Sequence, residues 1–292
     1  WAFNNSGLTE LVIPEGVETI KNRFIKDTGI TEITLPTSLK TLDDFCFAES
    51  SITNLVIPDS VTLIGKGAFM ESKIESVNIP PKVTVLNDSL FERSSLKEIY
   101  IPKTIEKIGS FIFSQCENLQ KVTIACDLSE DVSLTEIKDS DSADSANLYF
   151  NKVFDKEKAV EVLDPDNEHY DYSEYGDDDE YHYYCAPKKN ADVVFEDTVK
   201  TVCGKIFSGN FKKLDLGSVT TIDGVVFEAE EIVFPENEVT LGGDQIEADR
   251  IYLNGAITPT RVDINFYVKQ LYINAGSTYE DDLYKISFHS IT

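Results

Sequence analysis

The chain is poor in the residues that most often carry chemistry. Its 292 positions hold three histidines, one tryptophan, one methionine and five cysteines, and 26 basic residues stand against 52 acidic ones. His169, His182 and His289 are too few and too scattered to compose a catalytic triad or a closed metal site. The cysteines, Cys46, Cys116, Cys126, Cys185 and Cys203, are odd in number and nowhere spaced C-x-x-C, so each is read as a structural thiol. No apolar run reaches the roughly 18 residues a membrane-spanning helix needs, so no membrane insertion is expected. A net charge of minus 26 argues against nucleic acid and against an anionic membrane as partner. Gly242-Gly243 lacks the surrounding G-x-x-x-x-G-K of a phosphate cradle and reads as a turn. No Ser, Cys or Thr stands out as a nucleophile, and paired carboxylates carry no information in so acidic a chain. The reading is therefore a protein that is not an enzyme and needs no cofactor.

What the sequence does have is a period. Leu11-Val12-Ile13-Pro14 returns at Ile33-Thr34-Leu35-Pro36, Leu55-Val56-Ile57-Pro58, Val77-Asn78-Ile79-Pro80 and Ile99-Tyr100-Ile101-Pro102, with the same 22-residue step each time. A fixed period of this length marks a stacked solenoid. Aligning the copies exposes further apolar columns. One runs Phe3, Ile25, Phe47, Phe69, Phe91 and Phe113, and the one before it Ala2, Phe24, Cys46, Ala68, Leu90 and Ile112. The I-x-I pair alternates as a strand does, sending two side chains inward and one outward. The proline that follows cannot donate to a ladder and ends the strand. Each turn should thus supply about three residues of parallel sheet. Burying some six apolar side chains per turn, at roughly 1.5–3 kcal/mol each before entropy, holds neighbouring turns together.

This pattern resembles a leucine-rich repeat of the BspA-like class, over Trp1 to about Ile124. It departs from the common leucine-rich form in having I-P where Asn or Cys usually follows L-x-L. The resemblance implies a mainly β and irregular fold, a curved leucine-rich repeat solenoid with short parallel strands in 22-residue repeats. It also implies a secreted or cell-surface bacterial protein with an adhesive or interaction role. Trp1-Ala2-Phe3 already occupies the end of a repeat, so the start is read as a cut through a longer protein.

Three segments are expected within one continuous solenoid. Residues 1–126 are regular turns, 127–192 an acidic, tyrosine-rich insertion with one degenerate turn around Phe150, Phe154 and Ala159–Leu163, and 193–292 degenerate turns with a C-terminal cap. The insertion carries 20 acidic and 6 basic residues, more than half of the excess charge. Between Asp164 and Asn190 it interleaves acids with Tyr170, Tyr172, Tyr175, Tyr181, Tyr183 and Tyr184. Asp164-Pro165-Asp166-Asn167-Glu168 looks like the opening of a calcium loop, but His169 stands where an EF-hand needs Gly, and Tyr175 where it needs a bidentate Glu. Weak calcium binding at Asp177-Asp178-Asp179-Glu180 is left open. Beyond the insertion, Leu216, Phe234, Leu253 and Ile273 follow one another in 18-, 19- and 20-residue steps, and Ile286-Ser287-Phe288 reads as a closing strand.

The candidate site is the outward column of the strand face, presented by a curved solenoid as one continuous concave surface. It reads Val12, Thr34, Val56, Asn78, Tyr100 and Thr123, then Val194, Asp215, Val233, Tyr252 and Tyr272 after the insertion. A neighbouring outward column holds Glu10, Glu32, Asn54, Ser76, Glu98 and Lys121. Tyr100, Tyr252 and Tyr272 are of the rigid, amphipathic type enriched in binding hot spots. The function read from this is a non-catalytic protein- or glycan-binding module, with a host or matrix protein or a glycan as partner, acting as a monomer. The alternatives are a structural spacer in a larger surface protein and, less favoured, a metal-binding or hydrolytic site in the insertion.

Overall fold

Each 22-residue unit closes one turn of a coil, and the turns stack through parallel strands. The computed structural model describes residues 7–26, 28–128, 148–150, 153–154, 160–162, 182–184, 187–188, 191–203, 207–223, 226–242, 245–260, 264–274 and 286–290. All regular structure among them is strand.

One side of the coil carries the I-x-I segments. Strands Glu10–Val12, Glu32–Thr34, Asn54–Leu55, Ser76–Val77, Glu98–Ile101 and Lys121–Ile124 line it, and where successive strands pair they do so parallel, as Lys121–Ile124 does with Glu98–Ile101. After the proline a second, narrower strand forms. Thr19–Ile20, Thr41–Leu42 and Leu63–Ile64 pair in one sheet, and Val85–Leu86 with Lys107–Ile108 in another. The third side is turn rather than strand. There Phe47, Phe69, Phe91 and Phe113 are buried and stacked, with ring centroids 5.8, 5.5 and 6.0 Å apart.

Two backbone positions per turn on this third side take positive φ. One column is Arg23, Phe45, Gly67, Ser89 and Phe111, the other Glu49, Glu71, Arg93 and Gln115. Most are not glycine, so the conformation costs about 1–2 kcal/mol at each. The return is a bond to the next turn: Phe45 N–H donates to Lys66 O, Ser89 to Ser110 O, Glu71 to Glu92 O and Arg93 to Ser114 O.

Beyond the insertion the turns shorten and their strands lengthen. Phe207–Asp215, Val226–Val233, Gln245–Leu253 and Ile264–Ile273 run 9, 8, 9 and 10 residues, not the three expected. Each covers the third side and the strand face in one piece. The register skips one residue in each, since Phe211 pairs with Ala229 and Lys213 with Glu231, leaving Lys212 and Glu230 at the corner. The pairs Leu214 with Ile232, Ile232 with Ile251 and Ile251 with Leu271 reproduce the 18-, 19- and 20-residue steps. Losing the turn residues brings the third side close enough for continuous pairing. Thr201–Cys203, Thr221–Asp223, Val239–Gly242 and Ile257–Pro259 continue the narrow side.

The insertion leaves the coil and returns in register. Lys121–Ile124 pairs directly with Asp192–Phe195, and Leu128 bridges Val202. The degenerate turn expected around Phe150, Phe154 and Ala159–Leu163 falls largely outside the described residues. Leu148–Phe150 completes a turn by pairing parallel with Phe207–Gly209, but Val153–Phe154 pairs antiparallel with Pro187–Lys188 and Val160–Val162 with His182–Tyr184. A solenoid turn pairs parallel with its neighbour, so these two antiparallel pairs stand apart from the stacked ladder. Residues 163–181, with Asp164–Glu168, His169 and Asp177–Glu180, lie outside the described residues.

Ile286–Ser290 does pair at the end of the sheet, parallel to Ile264–Val268. It meets the first half of the last long strand. Over the second half, Ile273 is 54% exposed where Leu216, Phe234 and Leu253 of the same column are buried.

Candidate binding face

The outward column lies where the alternation places it. Val12 is 71% exposed, Val56 80%, Tyr100 47% and Tyr272 43%, while their inward neighbours Ile13, Leu55, Ile57, Ile99 and Ile101 are buried. Thr34 and Asn78 are exposed, and Thr123 and Tyr252 half-buried. Register brings Thr123 beside Tyr100 and Val194, and Tyr252 beside Val233 and Tyr272.

Several of these side chains are not free to meet a ligand in the way their identity suggests. The Asn78 amide is engaged: its Oδ1 accepts the Ile57 N–H at 2.7 Å and its Nδ2 donates to Ile57 O at 2.8 Å. It replaces a backbone pair between two turns. The rings of Tyr252 and Tyr272 stack on each other, centroids 4.6 Å apart and planes at 8°, so they present edges outward and share one face. Tyr100 donates its hydroxyl to Glu196 Oε2 at 3.2 Å across the point where the insertion leaves the coil. Partial burial and that carboxylate push its phenol above the ordinary value.

Beside this column runs a charge ladder that the sequence reading missed. Pairing places Glu98, Lys121, Asp192, Lys213, Glu231 and Arg250 in consecutive register, alternating in sign. Glu231 bonds both neighbours, Lys213 at 3.2 Å and Arg250 at 3.3 Å. The signal was present in the residues, but the insertion hides which acid follows Lys121. At the other end the same column reads Glu10, Glu32, Asn54 and Ser76, where two like charges stand side by side in register.

The strand face is also interrupted. Glu32–Thr34 pairs with Glu10–Val12 but not with Asn54–Leu55, which belongs to the long sheet. A groove of about 640 Å³ lies between them, lined by Thr31, Glu32, Ile33, Thr34, Leu35, Thr53, Asn54, Leu55, Val56 and Pro58.

Among the described residues no group of three or more His, Cys, Asp or Glu is placed to hold a metal ion, and no helix is long and apolar enough to cross a membrane. Cys46, Cys116, Cys126 and Cys203 are buried free thiols. Burial pushes the Cys116 and Cys126 thiols up to about 12. Cys116 Sγ also donates to Phe91 O at 2.9 Å, a bond inside the core.

No curated protein matches the chain in sequence. Among solved structures, a leucine-rich repeat protein from Bacteroides ovatus is 15% identical over 98% of this chain and 70% of its own, with a TM-score of 0.41. One from Eubacterium ventriosum is 19% identical over 90% of this chain and 61% of its own, also at 0.41. A leucine rich cell surface protein from Faecalibacterium prausnitzii is 16% identical over 78% of this chain and 62% of its own, at 0.29. The chain therefore spans under two thirds of the latter two. The family model of the BspA type leucine rich repeat region matches residues 1–139 in six copies. Residues 1–139, just under half of the chain, are thus similar to the BspA-type leucine-rich repeat family.

Proposed function

We propose that the chain is the non-catalytic binding module of a bacterial cell-surface or secreted protein, making protein or glycan contacts through the outward strand face. The observation that supports this most is Val12 and Val56, apolar side chains 71% and 80% exposed on a strand face whose inward neighbours Ile13, Leu55 and Ile57 are buried. Side chains fixed on a rigid sheet lose little entropy when a partner covers them. The family repeat and the cell-surface naming of the Faecalibacterium protein agree with a surface location.

The test is a binding screen of the purified chain against extracellular-matrix proteins and glycans. Two variants run beside it, one lacking residues 164–190 and one with Tyr100, Tyr252 and Tyr272 changed to Ala. Capture that is lost in the tyrosine variant places the site on the strand face. Capture lost only in the deletion moves it to the insertion. One observation favours a spacer instead: the ladder from Glu98 to Arg250 neutralises itself and offers a partner little unpaired charge. Silence of all three proteins across the screen is the result that reading expects.

A further inference from the structure

The strand face changes character at the insertion. Before it, every outward side chain is exposed, from Glu10 and Val12 in the first strand to Glu98 and Tyr100 in the fifth. After it, the outward residues from Asp192 to Tyr252 are half-buried. There the side chains cover one another, as Glu231 does by bonding Lys213 and Arg250, and Tyr252 by stacking on Tyr272. The earlier strands have no such mutual cover, and Val12 and Val56 stand 71% and 80% exposed.

The charges divide at the same place. No Lys or Arg stands among the outward residues of the first five strands. Glu98 has Lys121 beside it in register, but Glu10 is paired in register with Glu32. Among the described residues the carboxylates of Glu10 and Glu32 have no ion-pair or hydrogen-bond partner. Like charges placed side by side on a sheet destabilise it, and a cation brought between them removes that cost. The two valines lie roughly 10 Å apart, two strand spacings, with the acids about two residues, or 7 Å, along the strands from them. An apolar centre thus has an unneutralised acidic edge, the division of a protein-docking surface into core and rim.

This combination selects the occupant. A second copy of the chain laid on the same face would set Glu10 and Glu32 against themselves, in a molecule already at minus 26, and like charges facing one another across an interface oppose it. Nucleic acid is repelled for the same reason. A sugar finds no ring beside the valines, since Tyr100 is the only aromatic among those outward residues and lies at the far end, bonded to Glu196. Covering Val12 and Val56 takes apolar side chains, and neutralising Glu10 and Glu32 takes cations.

We propose that the outward face of the first three turns, centred on Val12 and Val56 and edged by Glu10 and Glu32, docks a cationic segment of a partner protein that carries apolar side chains beside its Lys or Arg. The partner lies on the face and takes no place in the sheet. The inference rests on the strand face being the binding surface and names the chemistry of what binds there.

The test uses three fluorescent peptides of about 12 residues, with anisotropy read at about 150 mM salt. The first repeats Val-Ser-Lys-Ser, which puts Val and Lys on one side of an extended chain; the second has Glu for each Lys, the third Ser for each Val. The first is expected to bind at least tenfold tighter than the second and at least fivefold tighter than the third. Changing Glu10 and Glu32 to Gln should weaken it at least fivefold, and changing Val12 and Val56 to Ser at least threefold. All four side chains are exposed, so both variants should keep the parent's denaturant midpoint. Changing Glu18 and Glu106 to Gln, the same loss of charge from exposed positions off the face, should leave binding within twofold. Amide shifts induced by the peptide should fall on Glu10–Val12, Glu32–Thr34 and Asn54–Val56. Absence of binding up to about 1 mM, equal losses in the two charge variants, or shifts centred on the acidic insertion would overturn the site. So would a neutral oligosaccharide that shifts the same amides and binds the Gln variant as well as the parent. If the tyrosine variant loses capture in the screen above while any of these results is found, the cationic partner is refuted and the binding face stands.

Discussion

Phe69 lies between Phe47 and Phe91 with its ring parallel to both within 26°, and it is 1% exposed. Removing it empties a buried space that two neighbouring rings cannot fill. Phe69→Ala is expected to cost about 3–5 kcal/mol in denaturant unfolding. Thr34→Ala should cost under about 0.5 kcal/mol, since the side chain is exposed and only its backbone carbonyl bonds Ile13. Equal effects would mean that the two faces have been exchanged. The thiols give a second residue-level prediction. A thiol whose titration is pushed up to about 12 carries almost no thiolate at pH 8, and the thiolate is the nucleophile. In a Cys185→Ser background, Cys46, Cys116, Cys126 and Cys203 should resist iodoacetamide at pH 8 and react only after unfolding, as mass spectrometry would read.

At the scale of one turn, the length of the repeat decides what the third side can be. The regular turns before the insertion have chain to spare, and it is taken up in two left-handed positions per turn that bond the next turn. In the shorter turns that follow the insertion the corner tightens, and the strand runs through it. Gly217 shows how little room remains: its φ is +53°, and a Cβ there would collide with the Phe195 carbonyl oxygen of the preceding turn. Gly217→Ala should therefore destabilise by at least about 1 kcal/mol from backbone strain alone, with the collision adding to it. A denaturant midpoint unchanged from the parent would show that the turn can relax. The columns of the regular turns were legible because the same buried positions recur at one fixed interval. The long strands were not, because a run such as Phe207–Asp215 includes Ser208, Gly209 and Asn210, which read locally as a turn.

At the scale of the molecule, the solenoid continues in register from one side of its insertion to the other. Because Lys121–Ile124 and Asp192–Phe195 pair over their whole length, the coil's continuity does not depend on the chain between them. A variant lacking residues 164–190 should fold with the parent's far-UV circular dichroism per strand residue and melt within about 5 °C of it. Loss of the cooperative transition would mean that the insertion is part of the core. The same pairing carries the Tyr100–Glu196 bond, which joins turns on either side of the insertion.

The sequence by itself determined the repeat, the inward columns and the outward identity of Val12, Val56, Tyr100 and Tyr272, because a fixed period combined with strand alternation leaves each residue one face to occupy. It also set the shorter steps that the later register follows. Only the tertiary structure decided which acid meets which base across the insertion, that the Asn78 amide serves the backbone, that Tyr252 and Tyr272 cover each other, and that strand pairing lapses between Glu32–Thr34 and Asn54–Leu55. Each of these depends on the distance between turns rather than on the order within one. That spacing is set by how neighbouring side chains pack, which no single repeat contains.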